Sequence, residues 1–243
     1  MRDMTDKDES LIHHLDALRK MLIRCFVCLG ILLPVCFWAS PKVLDLFIKV
    51  LIGDLNISLN YFAPMEVFIL QMKIAFFMSL VLSFPYIAKN VWDFILPALY
   101  GKEKSFIKSI VLSSTFLFCF GALFCFFIIL PFIINFGLSF SSAHIQPVLG
   151  VSNIVTLSLM LSFVFGIMFQ FPLVTYSLIK SGIVSYESIA SKRSYIFVGI
   201  LIISALLTPP DVLSLILLAV PTYMLFELGL IFARKAKRAK PVN

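Results

Sequence analysis

Residues 109–179 read SIVLSSTFLFCFGALFCFFIILPFIINFGLSFSSAHIQPVLGVSNIVTLSLMLSFVFGIMFQFPLVTYSLI, with no Asp, Glu, Lys or Arg in 71 positions. One helical crossing of a bilayer needs about 20 apolar residues, so this run can cross at least twice. Its apolar residues are continuous and do not alternate with polar ones, which favours helices over the strands of a membrane β-barrel. The run therefore predicts an all-α integral membrane protein.

The rest of the chain agrees with this fold class. Of its 243 residues, 60% are hydrophobic and 14% are charged, against roughly 25% charged in an ordinary soluble domain. Six segments are predicted to span the membrane: residues 22–39, 66–88, 108–136, 152–179, 194–208 and 212–232. We predict one domain over residues 1–243, with a cytoplasmic amphipathic segment at 1–21, six spans within 22–232 and a basic tail at 233–243. The fifth and sixth helices are predicted to be short.

The basic residues predict the orientation of these spans. Short loops rich in Lys and Arg stay on the cytoplasmic side of a membrane. Of the 20 Lys and Arg residues, 17 lie at the two termini or in the loops after spans two and four, and two lie in the loop after span one. Both termini are therefore predicted to be cytoplasmic. The net charge of +7 then needs no nucleic acid to explain it, because anionic lipid headgroups attract such loops.

An enzyme is not expected from the residues available. The three histidines lie outside the predicted spans, and the common zinc-protease and nucleotide-hydrolase motifs are absent from the sequence. No metal site or cofactor is predicted. The five cysteines lie in apolar segments and are interpreted as packing residues.

Polar residues within or beside the spans are candidate functional residues, because each is costly in hydrocarbon if left unpaired. Glu66 and Lys73 lie on one face of span two. Lys73 has either a functional or a structural role. In a structural role it would extend to the membrane interface, or pair with Glu66 and so hold the bundle. Glu227, near the end of span six, is placed to pair with Arg234.

Gln170 precedes Pro172 in span four. A polar amide beside a helix-kinking proline marks either a binding cavity or a hydrogen bond to a neighbouring helix, and we favour the cavity.

Two cytoplasmic segments complete the set of candidates. Residues 10–22 place leucines at helical spacing, with Asp16 and Arg19 elsewhere around the axis, and predict a short amphipathic helix in the membrane interface. The loop at 92–103 is aromatic and apolar and ends on Glu103. Its aromatic residues are either an interfacial belt or a groove. An acid beside a groove suits arginines followed by an apolar peptide, since carboxylates bind guanidinium in a bidentate fork.

Five motifs together resemble the TatC family of the twin-arginine protein translocase. They are His14-Leu15 through Leu18-Arg19, Val91-Trp92 through Pro97-Ala98-Leu99-Tyr100 with Glu103, Phe165-Gly166 through Phe169-Gln170-Phe171-Pro172, Lys192-Arg193 through Tyr195, and Leu207-Thr208-Pro209-Pro210-Asp211 with Pro221 and Phe226-Glu227. Their order and spacing cover nearly the whole chain.

The resemblance implies a receptor, in a bacterial plasma membrane, that binds twin-arginine signal peptides of folded proteins. It also implies assembly with the single-span partners TatA and TatB, self-association in the receptor complex, and transport driven by the proton-motive force. Glu103 would contact the arginine pair, and Gln170 would lie on the concave, membrane-facing side. Asp211 would belong to the turn near which partner helices dock. The signal-peptide set implied by the family pattern is Asp16, Arg19, Phe94, Pro97, Leu99, Tyr100 and Glu103.

Two positions depart from the family pattern. Ala17 stands where the family has Glu, with Asp16 one residue earlier, about 100° around the helix. Leu215 stands where many members carry Gln, which suggests more apolar packing with partners there.

Two other functions remain open at this point. A small secondary transporter or channel would need a discontinuous helix near the midplane, often in paired repeats. A purely structural scaffold would be indifferent to substitution of Glu103 or Gln170.

Overall fold

The computed structural model describes residues 2–52, 59–95, 104–140, 149–180, 184–208 and 212–238, with side chains described for 15–50, 60–95, 107–140, 150–180, 184–208 and 212–234. The helices in these ranges are α1 (Arg2–Ile52), α2 (Glu66–Ile95), α3 (Lys104–Phe124), α4 (Leu130–Leu138), α5 (Val151–Met168), α6 (Phe171–Lys180), α7 (Tyr186–Ser191), α8 (Arg193–Leu207) and α9 (Val212–Arg238). A π-helical turn at Cys125–Ile129 joins α3 to α4. The predicted all-α polytopic fold is confirmed.

The first helix differs from its prediction. The predicted amphipathic helix at 10–22 and the predicted span at 22–39 are parts of one helix, α1, which continues through Pro34 and Pro41 to Ile52. Pro41 has no N–H to donate to the carbonyl of Phe37. Ser40 Oγ donates to that carbonyl instead, at 2.8 Å. The proline therefore does not end the helix, because a neighbouring side chain satisfies the freed acceptor.

Prolines interrupt the third and fourth spans without ending them. The π-helical turn comes directly before Pro131, and Leu130 N–H bonds to the carbonyl of Cys125 across it. The fourth span divides into α5 and α6 at Phe169 and Gln170, two residues before Pro172. Gln170 therefore lies at a break between two helices.

Among the described residues, five apolar segments are long enough to cross a membrane: Leu15–Val50, Glu66–Ile95, Ile107–Leu138, Val151–Lys180 and Val212–Arg234. The fifth predicted span is α8, which has only 15 residues and is about 22 Å long. It is short, as predicted. α9 has 27 residues and extends past Glu227 into the basic tail, so the sixth helix is longer than its uncharged run suggested.

The helices pack as one bundle. α2 packs along α1, α3 and α5, α3 packs on α5, and α9 packs on α6 and α8. A two-residue parallel pairing of β1 (Leu59–Asn60) with β2 (Leu149–Gly150) joins the segments that precede α2 and α5. We call this the β end of the bundle. The largest buried cluster lies between the π-helical turn, α4, α5 and α9, and includes Cys125, Leu130, Phe165 and Leu218.

All five cysteines are free thiols within helices, and Cys25, Cys36 and Cys125 are buried. Their packing interpretation agrees with this placement.

Candidate functional site

A partly open cavity of about 380 Å³ lies between α2, α3, α5 and α6, at the end of the bundle opposite the β end. Its wall is almost entirely apolar and includes Val91, Trp92 and Ile95 from the last turns of α2. Three polar side chains interrupt that wall: Ser114, Gln170 and Ser177. The cavity could therefore hold an apolar segment while offering it a few hydrogen bonds.

Gln170 is anchored on one side of this cavity. Its Oε1 accepts a hydrogen bond from Ser114 Oγ at 2.6 Å, and its Nε2 donates to the Ser114 carbonyl at 3.0 Å. Nε2 also lies 3.4 Å from the carbonyl of Gly166. Gln170 therefore lines a cavity and also bonds to a neighbouring helix, and a binding role for that cavity stays a prediction.

Ser177 lies two turns further along α6 and differs from Gln170 in one respect. Its hydroxyl is buried and has no hydrogen-bond partner among the described residues. A buried hydroxyl without a partner carries a desolvation cost of about 1–3 kcal/mol. A group bound in the cavity could accept or donate the missing hydrogen bond.

Glycines allow the helices behind the cavity to pack closely together. A Cβ at Gly121 would lie 2.7 Å from the Phe165 carbonyl oxygen, and one at Gly166 would lie 2.6 Å from the Phe118 ring. A Cβ at Gly229 would lie 2.7 Å from Pro172 Cα. Small residues let membrane helices approach closely, so these positions hold α5 and α6 against α3 and α9.

The polar residues at the β end do not pair with each other. Glu66 Oε2 accepts from the Phe62 N–H at 2.7 Å and from the Ala63 N–H at 3.2 Å, and Oε1 accepts from the Ser152 N–H at 3.3 Å. Lys73 Nζ donates to Thr156 Oγ1 at 2.9 Å. The predicted alternative of a Glu66–Lys73 pair is wrong, because Glu66 binds backbone donors around the start of α2 and α5.

Glu227 also has a different partner from the one expected. Its Oε1 lies 3.1 Å from Arg193 Nε and accepts from the Tyr223 hydroxyl at 3.1 Å. The expected pairing with Arg234 is replaced by one with Arg193, since α8 packs on α9 and brings its first residue beside Glu227. The ion pair links the two helices of the hairpin.

The N-terminal candidates lie on α1, where Asp16 pairs with Lys20 at 2.6 Å, one turn further on. Both side chains are at least half exposed. Phe94 lies in the last turn of α2 and is partly buried. Within the described parts of the chain, no three His, Cys, Asp or Glu side chains come together as metal ligands.

The chain matches the family model described as "TatC: Sec-independent protein translocase protein (TatC)" over residues 13–221. It is 33% identical to the Sec-independent protein translocase protein TatC of Escherichia coli strain K12 over 231 residues, which is 93% of this chain and 88% of the relative. It is also 33% identical to the TatC protein of Aquifex aeolicus over 233 residues, covering 95% and 97% of the two chains. The chain belongs to the TatC family.

The fold supports the same membership. A crystal structure of the twin-arginine translocase receptor TatC superposes with a TM-score of 0.83 at 32% identity, covering 93% of this chain and 100% of that one. A second, obtained in DDM, gives a TM-score of 0.82 at 31% identity over 90% and 99%. This TatC-family chain is therefore the receptor component of the twin-arginine translocase, a multi-pass protein of the inner membrane.

Several predicted site residues of this TatC-family chain lie outside the described residues: Pro97, Leu99, Tyr100, Glu103 and Asp211. Their roles stay predictions. Of the others, the structure brings Gln170 to the cavity, while Glu66, Lys73 and Glu227 lie elsewhere.

In this TatC-family bundle, sequence reasoning missed Ser114 and Arg193 as the partners of Gln170 and Glu227, and it missed Ser177 as a cavity residue. Serines in apolar helices usually bond to their own backbone, as Ser158 does with the Ile154 carbonyl at 2.7 Å. No sequence signal therefore singled out Ser114 or Ser177 from the other serines. Arg193 was quoted as part of a motif, but only the fold brings it to Glu227.

Proposed function

We propose that this chain binds the twin-arginine signal peptides of folded export substrates and organises their transport. The arginine pair binds to the cytoplasmic loop that carries Glu103, and the apolar part of the signal peptide occupies the cavity between α2, α3, α5 and α6. In this proposal the protein binds and assembles, and it catalyses no covalent step.

The cavity is the single observation that carries this proposal. Its wall is apolar where α2 contributes Val91 and Ile95, as an apolar peptide requires. Gln170 and Ser177 supply polar atoms about 10 Å apart along α6, where an entering peptide has backbone groups to satisfy. The cavity also reaches Ile95, only eight residues in sequence before Glu103.

Glu103 is a better candidate for the arginine pair than Asp16. Arginine forms a bidentate fork with a carboxylate, which lysine does not reproduce. Asp16 is already paired with Lys20 on its own helix, so binding an arginine there requires that pair to be exchanged. Arg19 would act on the same N-terminal segment as a positioning residue.

The same proposal includes orientation and partners. With both termini cytoplasmic, the cavity lies in the cytoplasmic half of the bundle, facing newly made precursors. TatA- and TatB-like single-span proteins would dock near the α8–α9 hairpin and the turn at Asp211, and copies of the chain would self-associate. Transport would draw on the proton-motive force.

Photocrosslinking of a labelled precursor tests this function. A photoreactive amino acid is placed at Ile87, which lines the cavity, or at Tyr86, which does not line it and points elsewhere on the same helix turn. We expect a crosslink from position 87 and little from position 86. A precursor with both arginines changed to lysine should lose the crosslink.

The matched protein variants are Glu103→Gln and Asp16→Asn. The first should remove the arginine-dependent crosslink, and the second should reduce it much less. Equal crosslinks from both probe positions, or equal crosslinks with the lysine precursor, would contradict the proposal.

A further inference from the structure

Lys73 is a charge in an unusual position. It lies seven residues into α2, about 10 Å along the helix from Glu66, and its side chain is exposed on the outside of the bundle. Its ammonium has three donors, and one of them bonds to Thr156. No carboxylate among the described side chains lies within ion-pair distance of it. A cation in the apolar zone of a membrane is costly unless it finds an anionic partner.

Glu66 does not supply that partner. It is the acidic residue nearest to Lys73 along α2, but its two carboxylate oxygens accept three backbone hydrogen bonds at the β end. Lys73 therefore brings a net positive charge to the surface between α2 and α5.

A groove of about 630 Å³ lies beside this charge, between α2 and α5. Lys73 and Thr156 are its polar residues, and the other lining side chains are apolar, with Met72, Phe76 and Met160 about half exposed. Along α2 the groove runs from Ile69 to Leu80, a rise of about 16 Å over eleven residues. One leaflet of a bilayer has a hydrocarbon thickness of about 15 Å, half of the whole core.

We propose that this groove holds one phospholipid with a net negative headgroup, from the leaflet nearer the β end. The lipid phosphate accepts hydrogen bonds from Lys73 Nζ, and an acyl chain lies against Phe76 and Met160. A transmembrane helix of a partner would extend through both leaflets, whereas the groove matches the length of one. No described acidic side chain lines the groove, so its described lining offers no attraction to the cationic group of a zwitterionic headgroup.

Native mass spectrometry of the full chain tests this site. Delipidated protein is titrated with phosphatidylglycerol or with phosphatidylcholine, and the bound fraction is compared. We expect phosphatidylglycerol to bind more tightly, and Lys73→Gln to weaken its binding about fivefold, the effect of one basic side chain at an anionic surface. Phosphatidylcholine has the same phosphate but no net negative charge, so Lys73→Gln should weaken its binding less. Lys73→Arg should keep the preference, which separates loss of charge from a folding defect.

Two further variants distinguish a specific lipid-binding site from general electrostatic attraction of anionic lipid to the protein surface. Lys42→Gln removes an exposed lysine of α1 and should leave the preference intact. Met160→Trp fills the groove and should weaken both lipids without changing the charge. If Lys42→Gln weakens phosphatidylglycerol as much as Lys73→Gln does, the binding is general surface attraction and the proposal fails.

Photolabelling locates the bound lipid independently of the binding measurements. A photoreactive phosphatidylglycerol should label peptides that contain Phe76 and Met160. Labelling that falls elsewhere on the bundle, or that persists in Met160→Trp, would overturn the site. None of these measurements depends on signal-peptide binding.

Discussion

The body formed by α1–α6 and the hairpin formed by α8 and α9 differ most in two of their helices, because α5 buries many of its residues and α8 buries few. The largest buried cluster is centred on Cys125, Leu130 and Phe165 in the body and also includes Leu218 from α9. In α8 only Ile200 and Ser204 are buried, and Leu206 is 78% exposed. The body is therefore held by close packing of large side chains. In the hairpin, α9 packs on both α6 and α8 and buries Phe226 and Leu230, whereas α8 leaves most of its apolar surface exposed.

The largest expected effect is in the body. Gly121→Ala places a methyl group 2.7 Å from the Phe165 carbonyl oxygen and 2.7 Å from Phe169 Cγ, so α3 and α5 must move apart. Overpacking of this kind costs about 1–3 kcal/mol. We expect a clear fall in the midpoint of thermal unfolding in detergent. An unchanged midpoint would show that the helix contact is looser than described.

The next effect concerns the hydrogen bonds of Gln170. A double-mutant cycle of Gln170→Leu and Ser114→Ala should give a coupling energy between about 0.6 and 1.7 kcal/mol, the mean and the maximum found for hydrogen bonds between membrane helices. The coupling is measured from unfolding free energies of the two single variants and the double variant. A value near zero would mean that lipid or water replaces the contact without loss.

A smaller effect is expected in the hairpin. Arg193 and Glu227 are partly exposed at the end of the bundle, where ion pairs contribute about 0.2–1 kcal/mol. The cycle of Arg193→Gln and Glu227→Gln should give a coupling in that range. The control cycle of Arg234→Gln with Glu227→Gln should give none. A coupling to Arg234 of equal size would contradict the observed pairing.

The smallest effect is expected at Gly199 in α8. A Cβ there meets nothing within 4 Å, so alanine causes no overpacking, and it is the better helix former of the two residues. Gly199→Ala should leave stability unchanged or raise it slightly in the same unfolding measurement. A loss as large as that of Gly121→Ala would remove the distinction between body and hairpin.

The sequence predicted the spans well because their signal is strong and local. Uncharged runs and basic loops locate helices in a membrane without knowledge of neighbours. The ends of the helices were less predictable, as α1 shows. The first span was predicted to end at residue 39, but α1 continues through Pro41, where one serine hydroxyl satisfies the Phe37 carbonyl that the proline leaves free. Whether such a bond forms depends on the local conformation and not on residue type alone.

The residues of the candidate site also differ in whether the sequence alone could identify them. Gln170 stood out in the sequence because an amide beside a proline is rare in an apolar span. Ser177 and Ser114 did not stand out, since serines occur throughout these helices and usually bond to their own backbone. The role predicted for Glu103 rests on the family pattern and on carboxylate chemistry.

By itself, the sequence determined the all-α polytopic membrane class and the likeness to the TatC family. Hydrophobicity, charge and motif order are carried along the chain, and each can be read within one segment. Only the tertiary structure decided the partners of Glu66, Lys73, Gln170 and Glu227. A polar side chain in a bilayer bonds to whatever donor or acceptor the packed helices bring within reach, and that neighbour comes from a distant part of the chain.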